Sequence, residues 1–303
     1  MQGKGHTRTA LNRALSLAER NRGHLKIIDV FEVLPEKLRR KFRTKYSLNI
    51  RRIAQTEFEE RIKKLISMRK YKSLRIQTRV LFGTPFIEII REVLRGNHDL
   101  VVTEAEGKVG LRDRLFGTTN MHLMRKCPCP VWVIKPGRRK RYSNILAAVD
   151  VSSSQREQGQ LNIKILELSS SLAKSERGKL HILHCWKGPL ERTSRRYSGL
   201  SRKEISEIVS ETHRTHETLF NDLIGKFDLK EKEYHSHLLK GDPGELIPEL
   251  VKKKKMDLVV MGTVSRTGIA GLLIGNTAER VLNQINSSVL TVKPDEFKTP
   301  IKA

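Results

Sequence analysis

Apolar positions recur along the chain with two alternating periods. Asn144 to Val149 (NILAAV), Leu180 to Trp186 and Leu258 to Met261 are short apolar runs with the length of buried strands, and Tyr234 to Lys240 alternates as a strand. Between them the period lengthens to that of helices: Leu161 to Ser175, stopping near Gly178; Ser201 to about Phe227; Gly244 to Lys254; and Asn276 to Gln284. Ser201 with Glu204 three positions on has the form of a capping box. Val289 to Lys293 is the last strand. Strands alternating with helices predict a doubly wound α/β fold, a parallel sheet with helices on both faces.

The same order occurs earlier in the chain, with strands expected at Leu25 to Val30, Leu74 to Val80, Leu100 to Thr103 and Val131 to Ile134. A constant offset of 158 residues relates Gly83 to Pro136 to Gly241 to Pro294 without a gap, and 15 of the 54 paired positions are identical. The identities fall at turns (Gly83/Gly241, Gly117/Gly275) and in strand cores (Asp99-Leu-Val-Val102 against Asp257-Leu-Val-Val260), where backbone geometry restricts the residue choice. The fold is therefore expected twice, over residues 1–140 and 141–303, with Tyr142 and the basic run before it as linker. Ala18 and Gly23 match Ala173 and Gly178 at an offset of 155, which puts the counterpart of Asn144 to Asp150 ahead of residue 1. Either translation starts upstream of Met1 or the first copy is degenerate.

A chain of 303 residues suits two domains of this size. No run reaches the ~20 apolar residues of a membrane span, and the first residues lack a secretory apolar region, so a soluble cytoplasmic protein is expected. Cys127, Cys129 and Cys185 have neither zinc-site nor disulfide spacing and read as structural. The net charge of +26 is unequally shared: residues 1–142 hold 34 Lys+Arg against 13 Asp+Glu, residues 143–303 hold 25 against 20. The densest stretches are Lys37 to Arg52 and Arg61 to Arg79. A basic face of this kind could attract an anionic partner, whether nucleic acid, an acidic protein or phospholipid, although Tyr46, Phe58 and Tyr71 form no base-stacking platform.

The chemistry concentrates in LVVMGTVSRTGIAGLLIGNTA, from Leu258 to Ala278: a buried strand, a glycine at its carboxyl end, a glycine-containing loop, and a glycine directly before a helix. Such a segment can cradle phosphate, because glycine admits a close anion and the free N–H groups at the helix start favour negative charge. It is not a P-loop, since no Lys-Ser/Thr follows the glycines.

With MGTVSRTG followed by IGNTAERV as its most specific part, the chain resembles the universal stress protein family in its tandem two-domain form, over essentially its whole length. In nucleotide-binding members the loop reads Gly, two residues, Gly, nine residues, Gly, then Ser or Thr. The second copy supplies Gly262, Ser265, Gly275 and Asn276 at those positions, with Thr277 offering a hydroxyl one place late; the first supplies Glu104, Gly107, Gly117 and Thr118. The resemblance assigns Asp150 to the acid near the adenine and Cys185 to the residue whose backbone meets the base. Val30 is the first-copy counterpart of Cys185, and Asp150 has none. Glu104 would oppose a phosphate by ~1 kcal/mol or more when partly desolvated.

The resemblance implies a non-catalytic stress protein, active in surviving stress including DNA damage. It requires no cofactor and takes ATP or another adenine nucleotide, or another small ligand, in the second domain. It further implies two domains packed as a pseudo-dimer through Val131 to Lys135 and Val289 to Lys293, and the whole could form a homodimer. Among other candidates, His181 and His184 sit three apart on a strand, on opposite faces, and cannot share a metal. His213 with His216, and His235 with His237, could each hold zinc but lack a third ligand nearby and read as surface residues. No nucleophile with a base and orienting acid is present, which argues against a hydrolase.

Overall fold

The computed structural model describes residues 7–32, 46–67, 74–105, 116–137, 141–152, 156–188, 201–230, 232–263 and 274–303. Its elements, in chain order, begin with α1 (Thr7–Arg20), β1 (His24–Phe31), α2 (Tyr46–Ser67), β2 (Arg75–Phe82), α3 (Pro85–Gly96), β3 (Val101–Glu104), α4 (Thr118–Lys126) and β4 (Val131–Ile134). The second half continues with β5 (Asn144–Val149), α5 (Arg156–Glu176), β6 (Lys179–Trp186), α6 (Arg202–Gly225), β7 (Tyr234–Lys240), α7 (Pro243–Lys253), β8 (Leu258–Gly262), α8 (Asn276–Gln284) and β9 (Ser288–Val292).

The repeat is visible in the backbone. Arg22 and Arg177 both take left-handed φ, +50° and +55°, and each is followed by a glycine whose N–H closes on a carbonyl five residues back, Gly23 on Ala18 and Gly178 on Ala173. Asn97 and Lys255, with φ of +47° and +51°, end α3 and α7 in the same way. Gly178 has a further constraint: a Cβ there would lie 2.4 Å from the Tyr142 carbonyl oxygen, so the chain between α5 and β6 has no room for a side chain. The capping box forms, with the Ser201 N–H donating to Glu204 Oε2 at 2.7 Å and the Glu204 N–H to Ser201 Oγ at 3.3 Å.

In the second half the order β7-β6-β5-β8-β9 is wholly parallel and reverses direction at β5, the doubly wound arrangement. β9 then pairs antiparallel with β4, Val131 opposite Thr291, Trp132 opposite Leu290 and Val133 opposite Val289. With β3 beside β4, seven strands of both halves make one sheet. The final strands thus join the halves where the resemblance places them.

β1 and β2 form a separate parallel pair. Among the described residues β1 pairs with β2 alone and β3 with β4 alone; no strand stands between them as β5 stands between β6 and β8. The consequence is visible in burial. β6 is buried along most of its length whereas β1 is half-buried, and β8 is buried whereas β3 is half-buried.

Two apolar layers cover the sheet, and each runs through both halves. On one face α3, α4, α7 and α8 pack through Ile90, Leu123, Ile247 and Val281 onto Val133, Val259 and Val289. On the other, α1, α5 and α6 pack through Ala10, Ile165 and Phe220 around Trp132, Ile145 and Leu290. Tyr142 is no linker residue: it is buried, with its ring 6.0 Å from that of Trp132 and the Arg13 guanidinium 3.6 Å above it. Arg13 also pairs with Glu176 at 2.9 Å, and Glu176 accepts the Tyr142 N–H at 3.0 Å, so α1 and α5 are clamped across the junction.

This continuity has a measurable consequence. The two tryptophans, Trp132 and Trp186, report one half each. Leu290→Ala, at a site 2% exposed, is expected to cost about 2–5 kcal/mol. In denaturant titrations of Trp132→Phe and Trp186→Phe backgrounds, the fluorescence midpoint should fall together for both reporters.

Candidate ligand site

Three adjacent strands, β6, β5 and β8, deliver Cys185, Asp150 and Gly262 to the carboxyl edge of the sheet, and Gly275 begins α8 beside them. Asp150 is half-buried and fixed on both sides. Its backbone N–H donates to Asn162 Oδ1 at 3.0 Å, and Asn162 Nδ2 donates to its carbonyl at 2.7 Å. Its carboxylate accepts from the Ser152 N–H at 3.0 Å and the Ser152 hydroxyl at 2.7 Å. Asn162, 3% exposed on α5, is thus the residue that sets the Asp150 turn, and sequence reasoning passed over it because the contact spans a turn into the next helix.

Gly262 has a packing reason to be glycine: a Cβ would come within 2.8 Å of Leu161 Cδ2 on α5. Thr263, buried next to it, donates its hydroxyl to the Met124 carbonyl at 3.1 Å and accepts from Lys293 Nζ at 3.0 Å. Gly275 N–H donates to the Thr263 carbonyl at 3.0 Å, which draws the start of α8 against the end of β8. Gly275 is the N-cap of α8 and provides no side-chain cap, while Asn276 and Thr277 stand exposed in its first turn. Ser265 lies outside the described residues.

Cys185 is half-buried, and burial, with Asp242 adding to it, pushes its thiol up to about 12, so it stays protonated. Asp242 caps α7 by accepting the Gly244 N–H at 2.8 Å and pairs with Lys187 at 2.5 Å and Arg280 at 2.9 Å. Burial alone would raise its carboxyl; the Lys187 and Gly244 hydrogen bonds and the Arg280 charge hold it below the usual range. Arg280 also reaches Glu245 at 3.2 Å. This acid and two bases at the mouth of the site come from three elements, and no single stretch of sequence displays them together.

In the first half Val30 is half-buried on β1, and Gly117 caps α4 with Thr118 exposed in its first turn, while Gly107 lies outside the described residues. Glu104 ends β3 in the place of Gly262. Both its carboxylate oxygens are buried without a well-formed hydrogen bond, and burial raises the group to about 7 against the pull of the Ala10 amide. Of the basic stretches, Lys37 to Lys45 lies outside the described residues, and Tyr46 to Arg52 opens α2. Exposed Arg61, Lys63 and Lys64 on α2 are interleaved with Glu57 and Glu60, and Arg61 pairs with Asp29 at 2.9 Å.

Of the histidines read as surface residues, His235 is exposed, whereas His213, His216 and His237 are half-buried. His181 and His184 do face opposite sides, but each has a remote partner: His181 Nδ1 lies 3.0 Å from His237 Nε2, and His184 Nε2 lies 3.0 Å from His216 Nδ1. His213 packs edge-on against Trp186. Burial pushes His181 and His184 down to about 4, His181 being lowered further by His237, His235, Lys254 and Lys179. Sequence spacing could not pair residues on different elements, and among the described residues no group of three or more His, Cys, Asp or Glu side chains is placed to hold a metal ion.

A strand–helix order repeated in both halves, with a doubly wound parallel sheet and a glycine on either side of the loop at its carboxyl edge in the second, defines a class, and the comparisons name it. The profile of the universal stress protein family matches residues 2–135 and again 141–293, and the chain belongs to that family. It is of the tandem type, similar to universal stress protein E of Salmonella typhi and of Escherichia coli strain K12. It is 33% identical to each over 224 residues, which is 74% of this chain and 70% and 69% of theirs. A family crystal structure from Pseudomonas aeruginosa UCBPP-PA14 superposes with a TM-score of 0.64 at 26% identity, covering 94% of this chain and 88% of that one. A universal stress protein from Archaeoglobus fulgidus DSM 4304 shares the fold, with a TM-score of 0.61 at 16% identity over 94% of this chain and 93% of its own. Among the described residues no helix is long and apolar enough to cross a membrane.

Two titrations follow. A histidine near 4 in the folded state and near 6.5 when unfolded adds stability above pH ~6.5 that is lost as pH falls toward 4, on the order of 2–3 kcal/mol for each of His181 and His184. His184→Gln should flatten that acid limb in melting curves recorded from pH 7.5 to 4.5. For Glu104 the sign is opposite: a raised carboxyl destabilises the fold as pH rises from the unfolded value through about 7. Glu104→Gln should therefore stabilise the protein by about 1–2 kcal/mol at pH 8 and leave it nearly unchanged at pH 4.5.

Proposed function

We propose that this protein is a non-catalytic cytoplasmic stress protein whose second half binds an adenine nucleotide at the carboxyl edge formed by β6, β5 and β8. The observation that carries this reading is the convergence of the Asp150 turn, the end of β6 at Cys185 and the start of α8 at Gly275, which has no side-chain cap and leaves Asn276 and Thr277 exposed. An uncapped helix start presents N–H groups and a positive dipole end, the environment a phosphate takes. Asp150, held by Asn162 and Ser152, is the acid the family resemblance assigns to the adenine end. The hydroxyl and amide groups of Thr277 and Asn276 are available to the phosphates in place of the family's Ser or Thr.

The first half lacks this combination. Glu104 sets a carboxylate where a phosphate would lie. Binding through the second half alone makes the protein a single-site responder, with the first half as its structural partner.

The test is ATP binding to the full chain. With a dissociation constant near 10 μM, 1 mM ATP would stabilise the fold by ~2.7 kcal/mol, a readily measured rise in melting temperature. Trp186, directly after Cys185, should report binding by a change in fluorescence. Gly275→Glu should abolish both signals with little loss of fold, and no response at millimolar ATP in the unaltered chain overturns the proposal.

A further inference from the structure

A second candidate site lies at the opposite, amino edge of the same sheet, independent of the nucleotide reading. Asn144, Lys179 and Tyr234 are the first residues of β5, β6 and β7, and beside them opens a cavity of 610 Å³. Lys179, His181, Tyr234, His235, His237 and Lys254 line most of it, and none of the described residues that line it is a carboxylate.

The strand register builds the imidazole cluster. His181 on β6 stands opposite His235 on β7, and His237 is two positions further along the same face. The His181 ring is 5.0 Å from that of His235 and stacks on that of His237 at 5.3 Å with an 11° interplanar angle. His181 is 5% exposed. Lys179 enters from the start of β6, and Lys254 follows the end of α7.

The carbonyl groups that could offer negative charge here are committed elsewhere. At the end of α7 the carbonyls of Leu250, Val251 and Lys252 accept the N–H groups of Lys254, Met256 and Lys255, and the Lys254 carbonyl accepts Asn144 Nδ2 at 3.2 Å. The nearby acid, Asp257, accepts the N–H groups of Ser143 and Asn144 at 2.7 and 3.1 Å. What faces the cavity is therefore a set of donors and cations: imidazole N–H, two ammonium groups, and the Ser236 and Tyr234 hydroxyls. A metal ion would meet two lysines and no carboxylate; an anion would meet complementary charge from two directions.

We propose that this cavity is a binding site for a compact dianion of the phosphate class, either free inorganic phosphate or the phosphoryl group of a small phosphomonoester. Lys179 and Lys254 supply its charge complement, and the His181, His235 and His237 cluster supplies directional donors. Burial pushes the His181 and His237 imidazoles toward the neutral form, and the field of the cations around them adds to it. A bound dianion reverses that field, so binding takes up protons and tightens as the pH falls.

The experiment is calorimetric titration of the full chain with sulfate, whose charge is constant across the range, at pH 6 and pH 8. The expected result is one site per chain, at least tenfold tighter at pH 6, weakened at least tenfold in Lys254→Ala and in His237→Gln and unchanged in Lys203→Ala, a control on exposed α6. Histidine side-chain NMR gives a second reading that needs no variant: the titration midpoints of His181 and His237 should rise when sulfate is present. Parallel titrations with phosphate and glycerol phosphate distinguish the two sources, the tighter of them being the class of ligand. Absence of a sulfate site at pH 6, equal weakening by Lys203→Ala, unmoved histidine midpoints, or stoichiometric zinc binding at these histidines would each overturn the proposal.

Discussion

The structure depends on the antiparallel pairing of β4 with β9. Parallel strands of a doubly wound sheet are buried on both faces, and a final strand left as an edge would expose both its apolar faces and its backbone groups. Here each final strand covers the other. β9 is buried at every position and β4 likewise, and both apolar layers extend across the join without interruption. The same join closes on a buried ammonium group. Lys293, just past β9, is 3% exposed and donates to the carbonyl of Met124 in the first half and to Thr263 Oγ1 in the second. Burial lowers it to about 8, with the nearby Cys127 and Cys129 sulfur atoms, 3.6 Å apart, acting in the other direction. Thr263 adjoins Gly262, so the end of β8 at the ligand site is tied through this lysine to the end of α4.

The halves share a plan and differ in what the plan can do. β5 occupies the centre of the second half, and by pairing with β6 and β8 it buries them and aligns their carboxyl ends into one edge. In the first half β1 and β3 have no such strand between them among the described residues, and the substitution of Glu104 for glycine places an awkwardly desolvated acid at the matching edge. The second half carries both candidate sites, one at each edge of the same strands: glycine and helix N–H groups at the carboxyl edge, histidine and lysine at the amino edge.

Much of this was legible from the residues. The duplication and the element order follow from period and offset, because turn glycines and apolar strand cores report local geometry, whereas the pairing of the final strands was implied by the family resemblance alone. What was not legible depends on contacts between distant elements. Gly262 looks like a phosphate-loop glycine, yet Leu161 on another element is what excludes a side chain there. Tyr142 sits at the end of a basic run and reads as linker, yet Trp132, Arg13 and Glu176 enclose it. His216 and His237 read as surface residues on their own elements, and acquire buried partners only once β6 is laid beside α6 and β7. Asn162 gives no sequence signal at all, since its role is to hold the backbone of Asp150 from the following helix.

Covalent linkage changes what the β4–β9 pairing permits. Two identical subunits meeting through such strands would be held by mass action, would separate on dilution, and would receive every substitution twice, once on each side of the two-fold axis. In one polypeptide the partner strand is always present at a high local concentration, so the association survives at any dilution at which the chain folds. Each side of the interface can then change alone. Trp132 faces Leu290 across the register rather than a second tryptophan, and Glu104 can end β3 while Gly262 is retained at the end of β8. Fusion releases the pair from symmetry, and inequivalent halves become accessible by single mutations.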